Sequence, residues 1–278
     1  MKKIMDQESE RMKKKLVIGG IAAALLACSS GAFAAGAGPA WDYQQQGADW
    51  ASLTDDEGHF PYKTCGDGQV QSPINIDPTQ TVRRRTPSVR TIYRSVPLNV
   101  QNNGHTIQVN YAPGSMMKIG KKAYYLLQFH FHAGSENTVG VDGVDEHRAA
   151  AEVHFVHMNS KGKLGVLGVF IEKGRKNPAL EAILKTHDLD EIGKHDIEAP
   201  IKIQSLLPGR NVNAYYNFPG SLTTPPCTEG VNWYVAKKPV HASEAQIQAL
   251  RDLMWHDGYE NYRSTQPRND RVVREKGR

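Results

Sequence analysis

Hydrophobic and polar residues alternate with a period of two along much of this chain, the spacing of strands whose side chains point to opposite faces. Runs rich in β-branched and aromatic residues at 106–111, 124–132, 152–157, 164–171 and 231–235 are separated by the Gly, Pro, Asn and Asp of turns. A helical period occurs in only two places, 177–185 and 243–255. The second has Ser243 as its N-cap and the stretch from Glu244 to Gln248 leading its first turns. The pattern predicts a mainly β (α+β) fold, a sheet-dominated domain with peripheral helices.

Residues 1–40 break this pattern. They open with Lys and Arg, continue through an apolar run from Leu16 to Ala27, and end in small residues up to Ala40, the layout of a secretory signal peptide. The apolar run is short for a bilayer span, so cleavage is expected rather than a retained transmembrane helix. Met12-Lys13-Lys14-Lys15 offers an alternative start. Two cleavage positions compete: after Ala34 in Ala32-Phe33-Ala34, which is favoured, and before Cys28 in the lipoprotein-like Leu25-Leu26-Ala27-Cys28. The expected organisation is a removed signal over 1–34 and a single domain over 35–278, without repeat or linker. Its expected destination is the periplasm or the outside of the cell.

With 39% hydrophobic and 23% charged residues, the composition is that of a soluble globular protein. The formal charge of +5 falls to +2 once residues 1–34 are set aside, which implies no nucleic-acid partner. Arg83-Arg84-Arg85 and the stretch from Arg271 to Arg278 are expected as a solvated loop and a solvated tail. Loss of Cys28 leaves Cys65 and Cys227 as a pair, and an oxidising compartment predicts one disulfide between them. Closing so long a loop stabilises by about 4–5 kcal/mol in the chain-entropy model.

The richest chemistry lies in Gln128-Phe129-His130-Phe131-His132. In a strand, Gln128, His130 and His132 share one face while Phe129 and Phe131 pack on the other. Two imidazoles side by side can ligate one metal but need a third partner. In Glu152-Val153-His154-Phe155-Val156-His157, parity puts His154 on the face of Glu152 and Val156, and His157 on the opposite one. If the two strands are neighbours in register, His154 completes a three-histidine site. Three neutral imidazoles with one open position form the ligand set of a catalytic zinc, as against the closed set of a structural one. Gln128 and Glu152, each two residues before a histidine on its own face, can accept the imidazole N–H and fix its tautomer.

The segment from Cys65 to Ile76 with Gln71-Ser72-Pro73-Ile74-Asn75, the run Asn102-Asn103-Gly104-His105, Ser135-Glu136-Asn137 and the segment from Gly220 to Cys227 with Thr223-Thr224-Pro225-Pro226 together resemble the signature segments of the α-class carbonic anhydrases of exported bacterial type. These islands run in family order from about Trp41 to Arg271. Carbonic anhydrase is also the standard example of a three-histidine open zinc site.

The resemblance implies a central, twisted, mostly antiparallel sheet of about ten strands, one Zn2+ per chain, and a Cys65–Cys227 disulfide bracing the Thr-Thr-Pro-Pro loop. It further implies reversible hydration of carbon dioxide to bicarbonate by zinc-bound hydroxide. Thr223 would orient the hydroxide and donate its own proton to Glu136, and His105 would shuttle protons. Val156, Val166, Leu222, Thr224, Val231 and Trp233 would line the substrate pocket. Sulfonamide and anion inhibitors are expected.

The chain departs from the family pattern in a longer connection over 139–147. Ala133 and Asn137 also stand where animal members carry tryptophan and histidine, with small effects on zinc retention expected. The alternative function is a catalytically dead carbonic-anhydrase-like binding or adhesion module. Such proteins lose a zinc ligand, whereas His130, His132 and His154 are all present. Neither a His-Glu-x-x-His helix nor a serine nucleophile elbow points to another hydrolase.

Overall fold

The computed structural model describes residues 38–94, 98–197, 201–254 and 258–277, so the expected signal over 1–34 lies outside the described residues. From Pro39 onward the chain forms one compact unit. The strands are, in chain order, β1 (Asn75–Ile76), β2 (Val82–Arg83), β3 (Val89–Ile92), β4 (Leu98–Asn102), β5 (Ile107–Tyr111), β6 (Met116–Ile119), β7 (Lys122–Ala133) and β8 (Thr138–Val139). They continue as β9 (Ala151–Met158), β10 (Leu164–Lys173), β11 (Gly193–Asp196), β12 (Asn211–Val212), β13 (Tyr215–Ser221), β14 (Glu229–Ala242) and β15 (Arg274–Lys276). The helices are α1 (Thr64–Asp67), α2 (Pro178–Leu184) and α3 (Glu244–Met254).

Among the described residues, thirteen strands form one sheet, ordered β11-β4-β5-β7-β9-β10-β14-β13-β15-β2, with β6, β3 and β12 branching from β7. The sheet is mixed, with two parallel pairs among otherwise antiparallel ones, and has thirteen strands where about ten were expected. The long β10 and β14 run parallel, as do β15 and β2. A parallel pair needs a crossover, and the chain between β10 and β14 supplies one by travelling through α2 and β13 before it returns.

The alternation in β7 and β9 sorts their side chains onto two faces. Phe129 faces Phe155 and Phe131 faces Val153 in register, and all four are fully buried in the larger apolar cluster with Leu167 and Val169. Ala179, Leu180 and Ile183 of α2 and Ile247, Leu250 and Met254 of α3 close that cluster, the helical spacing setting one apolar stripe toward the sheet. The helices α2 and α3 each start where a polar side chain satisfies free backbone N–H groups. Asn177 accepts from Ala179 and Leu180, and Ser243 Oγ accepts from Gln246 at 3.3 Å. The predicted end of the second helix at Trp255 lies outside the described residues.

The other face carries a second apolar cluster, containing Val156, Val166, Val231 and Trp233 together with Ile74, Ile76 and Phe218. His157, assigned by parity to the face opposite His154, lies buried among aromatic groups, its Nε2 2.9 Å from the Tyr93 hydroxyl. The expectation of a solvated carboxyl-terminal tail does not hold. Arg271 is buried, its guanidinium donating to the carbonyls of Gln71, Pro219, Pro267 and Arg268, and Arg274–Lys276 pairs with β13 and β2. Four carbonyl acceptors take up this arginine's donors, with the Glu229 carboxylate as its nearby counter-charge, which a reading of charge runs does not foresee.

Candidate metal centre

His130 on β7 and His154 on β9 are direct register partners, with His132 two residues along β7 opposite Glu152. The longer 139–147 connection does not disturb this pairing: Val139 and His147 bridge across its base, and Asn75 Nδ2 donates to the Gly140 carbonyl at 3.0 Å. The three imidazole centroids lie 4.6–5.4 Å apart, and one ring nitrogen of each gathers within 4.8 Å of the others. No other cluster of metal-binding side chains occurs among the described residues.

Each ring is turned by a different partner. His130 Nδ1 is 2.9 Å from Gln128 Oε1, and His132 Nδ1 is 2.7 Å from the Asn261 carbonyl. His154 Nε2 stands 3.1 Å from Glu152 Oε1, near enough for electrostatic attraction but out of line for a hydrogen bond. That leaves Nε2 of His130, Nε2 of His132 and Nδ1 of His154 as the nitrogens open to a shared ion. Burial pushes all three imidazoles below their ordinary pKa, His132 to about 4, so each presents a neutral lone pair near pH 7.

The donor set fits a zinc ion. His132 Nε2 and Glu136 Oε2 are fully buried, have no hydrogen-bond partner, and lie 3.4 Å apart. Two buried acceptors facing each other are costly unless a cation or a donor joins them. Three nitrogen ligands leave a fourth position free, the arrangement of a reactive zinc rather than a structural one.

Beside the histidines, the buried Thr223 side chain adjoins Glu136 and favours its ionised form, and Glu136 Oε1 accepts the Arg263 N–H at 2.9 Å. Burial raises the Glu136 pKa to about 8 against the pull of these two groups. A dication at the histidines would act in the same direction as they do and hold the carboxylate ionised. The Arg263 side chain donates to Gln71 Oε1 and to the carbonyls of Ser72 and Cys65. The Cys65–Cys227 disulfide is formed, with Cα atoms 5.0 Å apart, and ties the Thr223 loop to α1.

Val156, Val166, Val231 and Trp233 are buried in one cluster with the half-buried Leu222 at its margin, and Thr224 is half-buried on the neighbouring loop. The Trp233 ring meets that of His154 edge-on at 4.8 Å, so this apolar wall adjoins the histidines. His105 stacks on Trp41 at 3.8 Å between centroids and borders a cavity of about 160 Å³. Asn261 links it to the centre, donating from Nδ2 to the His105 carbonyl at 3.0 Å while its own carbonyl contacts His132.

The family model described as eukaryotic-type carbonic anhydrase matches residues 50–277, nearly all of the described chain. The chain belongs to the α-carbonic anhydrase family. It is 38% identical over 253 residues to a carbonic anhydrase of Neisseria gonorrhoeae, covering 90% of this chain and 93% of that one. A carbonic anhydrase of Pectobacterium carotovorum is 37% identical over 235 residues, 84% of this chain and 89% of that protein. Among solved structures, the α-carbonic anhydrase of Thermovibrio ammonificans in complex with the inhibitor sulfanilamide superposes with a TM-score of 0.76 at 38% identity, covering 86% of this chain and all of that one.

Within this α-carbonic anhydrase framework the structure brings together His130, His132, His154, Gln128, Glu152, Glu136 and Thr223, with the apolar wall against them. His105 sits one residue removed, through Asn261. Sequence reasoning missed Asn261 and Arg263, because both act on the centre through backbone groups that every residue possesses. Asn137 was noted as part of the Ser135-Glu136-Asn137 island and as a departure from the animal members, with no role assigned to it. It donates from its backbone N–H and its Nδ2 to the two oxygens of Glu152, both at 2.9 Å.

Proposed function

We propose that the protein catalyses the zinc-dependent, reversible hydration of carbon dioxide to bicarbonate and a proton. The observation that carries this reading is the convergence of three neutral imidazoles, those of His132 and His154 fully buried and that of His130 half-buried, with the Thr223–Glu136 pair beside an apolar wall. His130, His132 and His154 would hold the ion through the nitrogens left free by Gln128, Asn261 and Glu152. When bound, zinc supplies a Lewis acid that lowers the pKa of water to about 7, a value known from carbonic anhydrases themselves.

The remaining steps belong to the chain. Glu136, as a carboxylate, can only accept, so the Thr223 hydroxyl spends its proton on Glu136 and presents a lone pair to the hydrogen of the attacking oxygen. That oxygen is thereby turned with its own lone pair toward the substrate. Carbon dioxide carries no dipole, and Val156, Val166, Leu222, Val231 and Trp233 offer it contact without competing polar groups. Thr224 borders the same pocket. The proton released on hydration passes to His105, an imidazole of the kind that both takes up and gives off protons in general acid–base catalysis, and from there to solvent.

Sulfonamides, such as the one carried by the Thermovibrio relative, and small anions would compete at the open position. Export to the periplasm or beyond follows from the signal-like layout of residues 1–34, and the Cys65–Cys227 disulfide suits that compartment.

Stopped-flow carbon dioxide hydration on the processed protein, before and after treatment with a chelator, tests the assignment. Activity lost with the metal and restored by zinc is the expected result. No hydration by protein carrying one zinc per chain would overturn it.

A further inference from the structure

Gly168 lies on β10 directly across from His154. Its backbone is not in the left-handed region, so conformational freedom does not explain a glycine there. Space does. A methyl group at that position would lie 2.6 Å from Glu152 Oε1, while its next neighbour, Val235 Cγ2, would be at an ordinary 3.6 Å. The clash is therefore specific to one atom, the oxygen that stands 3.1 Å from His154 Nε2.

That oxygen cannot simply move aside. Asn137 Nδ2 donates to it at 2.9 Å, and the Asn137 backbone N–H donates to its companion Oε2 at the same distance. Asn137 and Glu152 are both fully buried, so a displaced carboxylate would find no water to replace these bonds. Asn137 clamps the carboxylate from one side, and Gly168 leaves the vacancy it occupies on the other.

We propose that Gly168 and Asn137 are positioning residues for the metal centre: together they form a slot that holds the Glu152 carboxylate against His154 and so keeps His154 Nδ1 turned toward the ion. The inference rests on the zinc reading above. Filling the slot or removing the clamp lets the carboxylate drift and the imidazole turn, and the ion escapes faster. Groups that orient a metal ligand through a hydrogen bond or charge typically alter metal affinity by about 10–100-fold.

The test is a double-mutant cycle on zinc release from the holoprotein into excess chelator, with thermal unfolding of each apoprotein followed in parallel. Gly168→Ala and Asn137→Ala are each expected to speed release by about tenfold or more. In a Glu152→Ala background, where the clashing and clamped group is gone, each should change the rate less than about twofold. Equal acceleration in both backgrounds, or none from either substitution in the wild-type background, would overturn the proposal by showing a general packing effect or no effect. Should Gly168→Ala fail to fold, the Asn137→Ala arm decides in the same way. Wild-type protein that binds no zinc would fail the zinc reading itself, a result distinct from an additive cycle on a zinc-binding protein.

Discussion

Thr223 is the residue whose replacement separates binding the metal from using it. Thr223→Val keeps the branched shape in a site that is 5% exposed and removes only the hydroxyl. Glu136 retains its 2.9 Å bond from the Arg263 N–H, so the carboxylate stays in place. The turns of His130, His132 and His154 are set by Gln128, Asn261 and Glu152, none of which Thr223 holds. The loss is one hydrogen bond whose partner chain ends on a charged group, worth about 1.5–3 kcal/mol. Felt in the transition state, that is a decrease of roughly 10–150-fold in kcat/KM. Stopped-flow hydration with zinc content measured on the same samples should show this drop at one zinc per chain, and Thr223→Ser should restore most of the rate. Activity of the Val variant within about twofold of wild type, or loss of the zinc with the hydroxyl, would refute the orienting role.

Other consequences are equally open to measurement. His105→Ala should lower turnover in weak buffer by up to about a hundredfold, the lower end of what a positioned proton carrier contributes, and added imidazole buffer should restore it. Replacing Cys65 and Cys227 by serine opens a loop of 162 residues, which costs about 5 kcal/mol in the chain-entropy model. Thermal unfolding should then fall by roughly 10–20 °C. His157 has its pKa depressed to about 3 by burial, against about 6.5 in an unfolded chain. Between those values the unfolded chain binds a proton that the folded one refuses, so stability falls as pH drops below about 6.5, by about 2 kcal/mol at pH 5. Denaturant titrations of wild type and His157→Leu should therefore differ in the steepness of acid destabilisation, and identical slopes would show that His157 titrates normally in the fold.

The part of the site that was legible in the sequence was the part written in side-chain parity. Phe129 and Phe131 between His130 and His132 marked a strand with one apolar and one ligating face, and the same parity chose His154 over His157. The structure places His130 opposite His154 and His157 beside Tyr93 on the other face. Contributions from backbone atoms were not legible. The Asn261 carbonyl and the Arg263 N–H carry no residue-type signature, and their position depends on where the chain after α3 happens to pass.

The sheet was foreseen in its centre and missed at its margins. β13 was hidden by Pro219 and Gly220, which punctuate a strand pattern. Pro219 is tolerated because β15 pairs only Tyr215 to Asn217, leaving the proline beyond that edge, where a missing N–H costs no ladder bond. β14 was recognised only over 231–235, because Lys237-Lys238-Pro239 reads as a turn although the strand continues to Ala242. The two-residue strands β2 and β12 are too short for any period to register. The parallel β10–β14 pair depends on a crossover that no local pattern encodes.

Crystallography of the zinc-loaded protein with anomalous data at the zinc edge tests the central claim most directly. The account predicts one peak per chain, bonded to Nε2 of His130, Nε2 of His132 and Nδ1 of His154 at about 2.0–2.1 Å, with a fourth position facing Thr223. A peak elsewhere, or a closed site with a fourth protein ligand, would contradict it.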